Sequence, residues 1–216
     1  MTHQFMRRPT LVITLALLFF ASCQRSDNYI IPVDYEKLYE GVSSQTEQEG
    51  SELAWQIMQA HWNNTVGKEI PDIKVQGTDG KSYKLKKLLK QGSIIIFSTP
   101  NCGWGEEEAE KEFPALCREI SDELEDIDIF CLIENGKSYD QQKVNDYTWT
   151  LQREYSKVYL IEQKDAQKIN LNASPTKLFI NEKQTVVYMQ LGYAMGADAQ
   201  INIIRAGINE IIKEKL

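Results

Sequence analysis

Histidine is nearly missing from this chain: its 216 residues include only two, His3 and His61. That shortage counts against a zinc site built on imidazole, and a cysteine-histidine nucleophile would have to use His61 itself. Cysteine is also sparse, with Cys23, Cys102, Cys117 and Cys131 making up the four. Cation is short as well. Against 31 acidic residues stand 24 basic ones, a formal charge of −7, which argues against nucleic acid as a partner. The apolar stretch Leu11 to Phe20 is about ten residues, half of the roughly 20 that a bilayer-spanning helix needs. No repeat or low-complexity tract appears.

What the N-terminus does have is the outline of an export leader. Arg7 and Arg8 precede the apolar stretch, which stops at Ala21-Ser22-Cys23, as a secretory signal does. Cys23 after small residues resembles a lipoprotein cleavage site. Residues 1–22 would then be removed and Cys23 would become a lipidated N-terminus, although Phe20 stands where that pattern more often has Leu. The alternative is an ordinary signal with Cys23 incidental. Removing 1–22 takes two basic residues and no acidic ones, so the mature charge is 22 − 31 = −9. The expected location is extracytoplasmic, anchored to a bacterial membrane on its periplasmic or cell-surface face. Three cysteines remain in that oxidising setting, so at least one is free or pairs with another molecule.

Residues 23–66 read as a tether, polar over Gln24 to Asn28, followed by an amphipathic helix over 49–63. That helix has Leu53, Ile57 and Ala60 on one stripe, Met58 and Trp62 beside it, and Ser51 as its N-cap. His61 falls in it, at a core edge or in solvent. From Gly67 onward about 150 residues suffice for one core. A hairpin, Ile73–Gln76 and Ser82–Leu85 about Thr78-Asp79-Gly80, leads into a short helix over 86–90. The all-apolar run Ile94-Ile95-Ile96-Phe97 is a buried strand. A helix over 106–125 follows, with Phe113, Leu116, Cys117, Ile120 and Leu124 on its buried face, and then a parallel strand over 127–133. Further on come a helix over 141–155, strands over 158–161, 177–180 and 185–191, and a closing helix over 198–214. Tyr147 and Trp149 read as core. The whole predicts a mixed-sheet α/β sandwich.

Cys102 falls between the buried strand and the next helix, where free amides and the helix dipole favour thiolate. Three glutamates, Glu106, Glu107 and Glu108, crowd the same helix start and oppose a nearby thiolate. Cys117 lies fifteen residues along the helix, about 20 Å from Cys102 and outside disulfide reach. Cys117 and Cys131 read as buried small hydrophobes, with a disulfide between them as the alternative. Trp104 either packs beneath the turn or stands exposed beside the thiol. Metal carriage by Cys102 with Met189 or Met195 has no recognisable ligand spacing.

Three segments together resemble the thioredoxin-like thiol-disulfide oxidoreductases, in their exported redoxin (TlpA-like) branch. They are Gly67 to Asp72 with Gly77-Thr78-Asp79-Gly80-Lys81 and Leu85 to Leu88; Phe97 to Cys102; and Ala173-Ser174-Pro175-Thr176 leading into Lys177 to Asn181. The resemblance implies a thioredoxin-like fold over 67–216 with an N-terminal hairpin and helical extension, and Cys102 as the nucleophile. It implies a cis Ser174-Pro175 loop facing that nucleophile. Ser174, Pro175 and Thr176, with Trp104, would meet the substrate, the partners would be protein or small-molecule thiols and disulfides, and neither cofactor nor metal is called for. The departures are Gly105 at the position of the resolving cysteine, Ile96 where many relatives have a buried acid, and Pro114 four residues late, which implies about one extra helical turn. Two functions stay open: exchange through a single thiol with an external resolving thiol, or a redox-inactive peptide-binding or scaffolding module. A peroxidase variant built on Thr99 and Cys102 lacks the proline that its pattern needs at position 95, which is Ile.

Overall fold

The structure, a computed structural model, describes residues 28–40, 47–136, 139–192 and 197–213. Among these, no helix is long and apolar enough to cross a membrane. The expected leader and the lipidation site at Cys23 lie outside the described residues.

Seven strands form one mixed sheet in the order β2-β1-β5-β4-β3-β6-β7. They are β1 (Lys74–Gly77), β2 (Ser82–Lys84), β3 (Ser93–Ser98), β4 (Asp128–Glu134), β5 (Val158–Ile161), β6 (Thr176–Ile180) and β7 (Val186–Leu191). The centre explains the sequence pattern. Strand β3 is parallel to β4 and antiparallel to β6, and all six of its residues are buried, so it reads as an unbroken apolar run rather than an alternation. Ile94 and Ile96 feed one core with Phe113, Leu116, Cys131 and Tyr155. Ile95 and Phe97 feed the opposite core with Ile73, Leu132, Leu178 and Met189.

The helices are α1 (Tyr35–Tyr39), α2 (Glu47–Thr65), α3 (Leu85–Leu88), α4 (Gly103–Glu107), α5 (Phe113–Glu119), α6 (Gln141–Leu151), α7 (Gln163–Gln167) and α8 (Ala197–Lys213). Neither α1 nor α7 is foreseen by periodicity. Helix α2 starts at Glu47, so Ser51 lies inside it and is not its N-cap. His61 is fully buried, neither edge nor solvated, and its Nε2 meets the Tyr35 hydroxyl on α1.

The expected continuous helix over 106–125 is replaced by four pieces. Between α4 and α5 the backbone widens into a π-helical turn, Glu108–Glu112, and after α5 it tightens to a 3₁₀ turn, Ser121–Leu124. Pro114, at the start of α5, has no N–H to donate. Four added residues also exceed the 3.6 of one α turn, and a π bulge absorbs such a surplus without rotating the buried face. Ala109 and Phe113 consequently both remain in the core.

Trp149 is corrected. It is 59% exposed, with Arg153 stacked 3.5 Å from its ring centroid. The buried side of α6 is Val144, Tyr147 and Leu151, and at about 100° per residue Trp149 points away from Tyr147.

Candidate functional site

Strand β3 ends at Ser98, and the chain turns through Thr99, Pro100 and Asn101 to put Cys102 at the N-cap of α4. Asn101 holds the left-handed conformation, φ 72°, which asparagine tolerates better than most residues. Its amide N–H donates to Glu106 Oε1 at 2.8 Å and its Oδ1 accepts from Lys143 Nζ at 3.0 Å. The turn is pinned from both sides.

The thiol of Cys102 is half-buried and makes no capping bond to its own helix. It donates instead to the carbonyl oxygen of Ser174 at 3.3 Å. The Ser174-Pro175 peptide is cis, and Ser174 Oγ accepts from the Thr99 amide at 3.0 Å. Two hydrogen bonds therefore join the β3 turn to the proline loop across 72 and 75 residues of sequence. Pro175 and Thr176 are buried. The Thr176 hydroxyl turns inward onto the Ala173 carbonyl at 2.7 Å, and the Pro175 carbonyl accepts from the Gly192 amide. Trp104 resolves to the exposed alternative, at 59%.

The place of the absent second cysteine is filled. A Cβ on Gly105 would lie 2.2 Å from Ser174 Oγ and 3.0 Å from Ser98 Oγ, and Ser98 Oγ is itself bonded to the Tyr147 hydroxyl at 2.6 Å.

The three glutamates do not act as a block. Glu106 folds back on Asn101, Glu107 is exposed, and Glu108 is fully buried in an ion pair with Lys177, which is 1% exposed. Lys177 pairs in register with Ile96 and also donates to Gln190 Oε1 at 3.1 Å. Ile96 stands where the resemblance has a buried acid in many relatives; in this chain a buried acid comes from the π-helical turn and a buried base from the neighbouring strand. Desolvation raises the Glu108 carboxyl and lowers the Lys177 ammonium, each offset in part by the other.

Sequence reasoning missed Tyr139 and Glu134. The Tyr139 hydroxyl donates to Glu134 Oε2 at 2.8 Å and also meets the Thr99 side chain. Burial, followed by the bond to Glu134, pushes this phenol up to about 12. With Cys102, both line a cavity of about 730 Å³ that residues 32–36 also line. No periodicity marks these residues.

Cys117 and Cys131 are free and pack in or against the core on the α5 side of the sheet. Burial pushes the Cys117 thiol up to about 12 and the Cys131 thiol higher, so neither is a nucleophile in the folded protein. Among the described residues, no group of three or more His, Cys, Asp or Glu is placed to hold a metal ion.

No family profile and no curated protein matches the sequence. Solved structures do. A thiol:disulfide interchange protein from Bacteroides sp. superposes with TM-score 0.50 at 13% identity, over 67% of this chain and 91% of its own. A thioredoxin-like protein from Porphyromonas gingivalis gives TM-score 0.51 at 22% identity, over 70% of this chain and 95% of its own. The fold is thioredoxin-like. In this thioredoxin-like chain the thiol has no partner among the described cysteines, and the position of the second cysteine is a packed Gly105-Ser174 contact.

Proposed function

We propose that the protein is an exported, lipid-anchored thiol-disulfide oxidoreductase that works through the single thiol of Cys102. The observation that carries this reading is that Cys102 lines the cavity beside the cis-proline loop with its sulfur against the Ser174 carbonyl, whereas Cys117, which lines a different cavity, has its thiol pushed up to about 12 by burial. The Cys102 thiolate attacks one sulfur of a disulfide, the other sulfur leaves as thiolate, and a mixed disulfide remains on Cys102. With Gly105 in place of a resolving cysteine, an external small-molecule or protein thiol attacks that adduct and restores Cys102. Ser174, Pro175 and Thr176 form the loop that a substrate backbone meets, and Trp104 offers it an apolar contact. Residues 67–216 make up the domain, 23–66 the tether and helical extension, and lipid on Cys23 holds both at the membrane.

The filled space at Gly105 also suits a peptide-binding module without turnover, and one experiment separates the two. The full-length lipoprotein in detergent is treated with a small disulfide and mapped by mass spectrometry, with Cys102→Ser as the blank. One reversible adduct at Cys102, removed by added thiol, with Cys117 and Cys131 unmodified, is the expected result. No adduct, or adducts only after unfolding, leaves the binding module. The same spectra read the lipid mass on Cys23.

A further inference from the structure

Resting on that reading, the cavity beside Cys102 says something about which disulfide enters it. One side is the redox turn, with Thr99, Cys102 and Ser174. The other is the N-terminal segment over 32–36, with α7 beneath. Three carboxylates face this space, Asp34, Glu36 and Glu134, and none of the described residues lining it is Lys, Arg or His. Asp34 accepts from the Lys37 amide as the N-cap of α1, Glu134 accepts from the Tyr139 hydroxyl, and none of the three forms an ion pair among the described residues.

The acidic wall belongs to the site because it is fastened there. Asn170, fully buried and at φ 57°, accepts from the Val33 amide at 2.9 Å and donates to the Ile31 carbonyl and to Thr65 Oγ1. Tyr35 is held by buried His61 and by Asn172. The segment carrying Asp34 and Glu36 is thus clamped to both α2 and the loop leading into Ser174. Asp34 and Glu36 are exposed and Glu134 is buried, and three negative charges around one cavity attract cation and repel anion.

We infer that this site selects disulfides carrying positive charge next to the reacting sulfur, and that Asp34 and Glu36 of α1 set the preference. In the exchange the Cys102–S bond forms as the substrate S–S bond breaks, and the leaving sulfur takes the electron pair as thiolate. An ammonium or guanidinium beside that sulfur offsets the new negative charge among the carboxylates. A carboxylate there adds a fourth.

The test compares second-order rates of mixed-disulfide formation on the full-length protein for three small disulfides of similar size: cystamine (cationic), 2-hydroxyethyl disulfide (neutral) and 3,3′-dithiodipropionate (anionic). Rates are normalised to those of the unfolded chain. The cationic reagent should exceed the anionic by about tenfold or more, equivalent to about 1.4 kcal/mol. The ratio should collapse toward one in 1 M salt, where the screening length falls to about 3 Å. It should also fall several-fold in Asp34→Asn/Glu36→Gln, substitutions that keep the cap and the side-chain size. A ratio near one at low salt, or one unchanged in the double variant, overturns the assignment. If no reagent reacts, the exchange reading itself fails and takes the substrate class with it.

Discussion

Gly105→Ala pits two effects of opposite sign against each other. Gly105 lies within α4, where replacing glycine by alanine normally stabilises by about 1 kcal/mol. Here the added Cβ would sit 2.2 Å from Ser174 Oγ and 3.0 Å from Ser98 Oγ. Ser98 is tied to Tyr147 and has little freedom to yield. Ser174 can rotate only by releasing the Thr99 amide. An amide left unpaired costs about 1–3 kcal/mol, and overpacking costs about as much again. Set against the gain of about 1 kcal/mol, the net expectation is destabilisation by about 1–5 kcal/mol. In a Ser174→Ala background the 2.2 Å contact is gone and Ser98 Oγ at 3.0 Å is the remaining close one, so the same Gly105→Ala change should cost far less than in the parent. Urea unfolding of the four proteins, followed by circular dichroism under reducing conditions, gives the coupling directly, expected at about 2 kcal/mol. A Gly105→Ala protein as stable as the parent, or a cycle additive within about 0.5 kcal/mol, would refute the packing argument. If the coupling holds, restoring a CxxC motif takes two substitutions.

Two further outcomes follow from buried charge. Burial lowers His61 to about 4 from 6.5. Between those values the unfolded chain binds the extra proton and the folded one does not, so stability present above pH 6.5 is lost as pH falls toward 4, by about 3 kcal/mol in all. Urea midpoints at pH 7.5 and pH 5 should therefore differ, and should converge in His61→Phe; a parent midpoint that is flat across this range refutes the shift. Glu108→Gln or Lys177→Met alone strands one buried charge and should cost about 3–5 kcal/mol, whereas Glu108→Leu/Lys177→Met should regain much of that. A double variant as unstable as the worse single variant, judged by thermal unfolding, would show that the pair contributes more than mutual neutralisation.

The sheet was legible because burial writes itself into local pattern: Ile94 to Phe97 can be little other than a central strand, and the parallel partner over 127–133 begins at Asp128 in the structure. The position of the thiol and its proline loop was legible through sequence resemblance. What escaped depends on distant residues. Glu108 looked like one of three surface carboxylates because Lys177, which buries it, lies 69 residues away. Helix α1 has five residues, too few to form without tertiary contacts, so nothing local announced that Asp34 and Glu36 would face Cys102. At Trp149 hydrophobicity and helical phase disagree: Val144, Tyr147 and Leu151 mark the inner side of that helix, and phase decides.

The contact between Cys102 and the Ser174 carbonyl has a thermodynamic consequence. While the thiol is protonated, it occupies an acceptor that an incoming peptide N–H would use in pairing with the proline loop. Loss of the proton frees that oxygen and creates the nucleophile in the same step. In the exchange reading, a peptide N–H docked on Ser174 and the Cys102 thiol draw on the same carbonyl oxygen, so each contact disfavours the other. The oxygen that the loop would offer to a substrate is the one that holds the thiol in its absence.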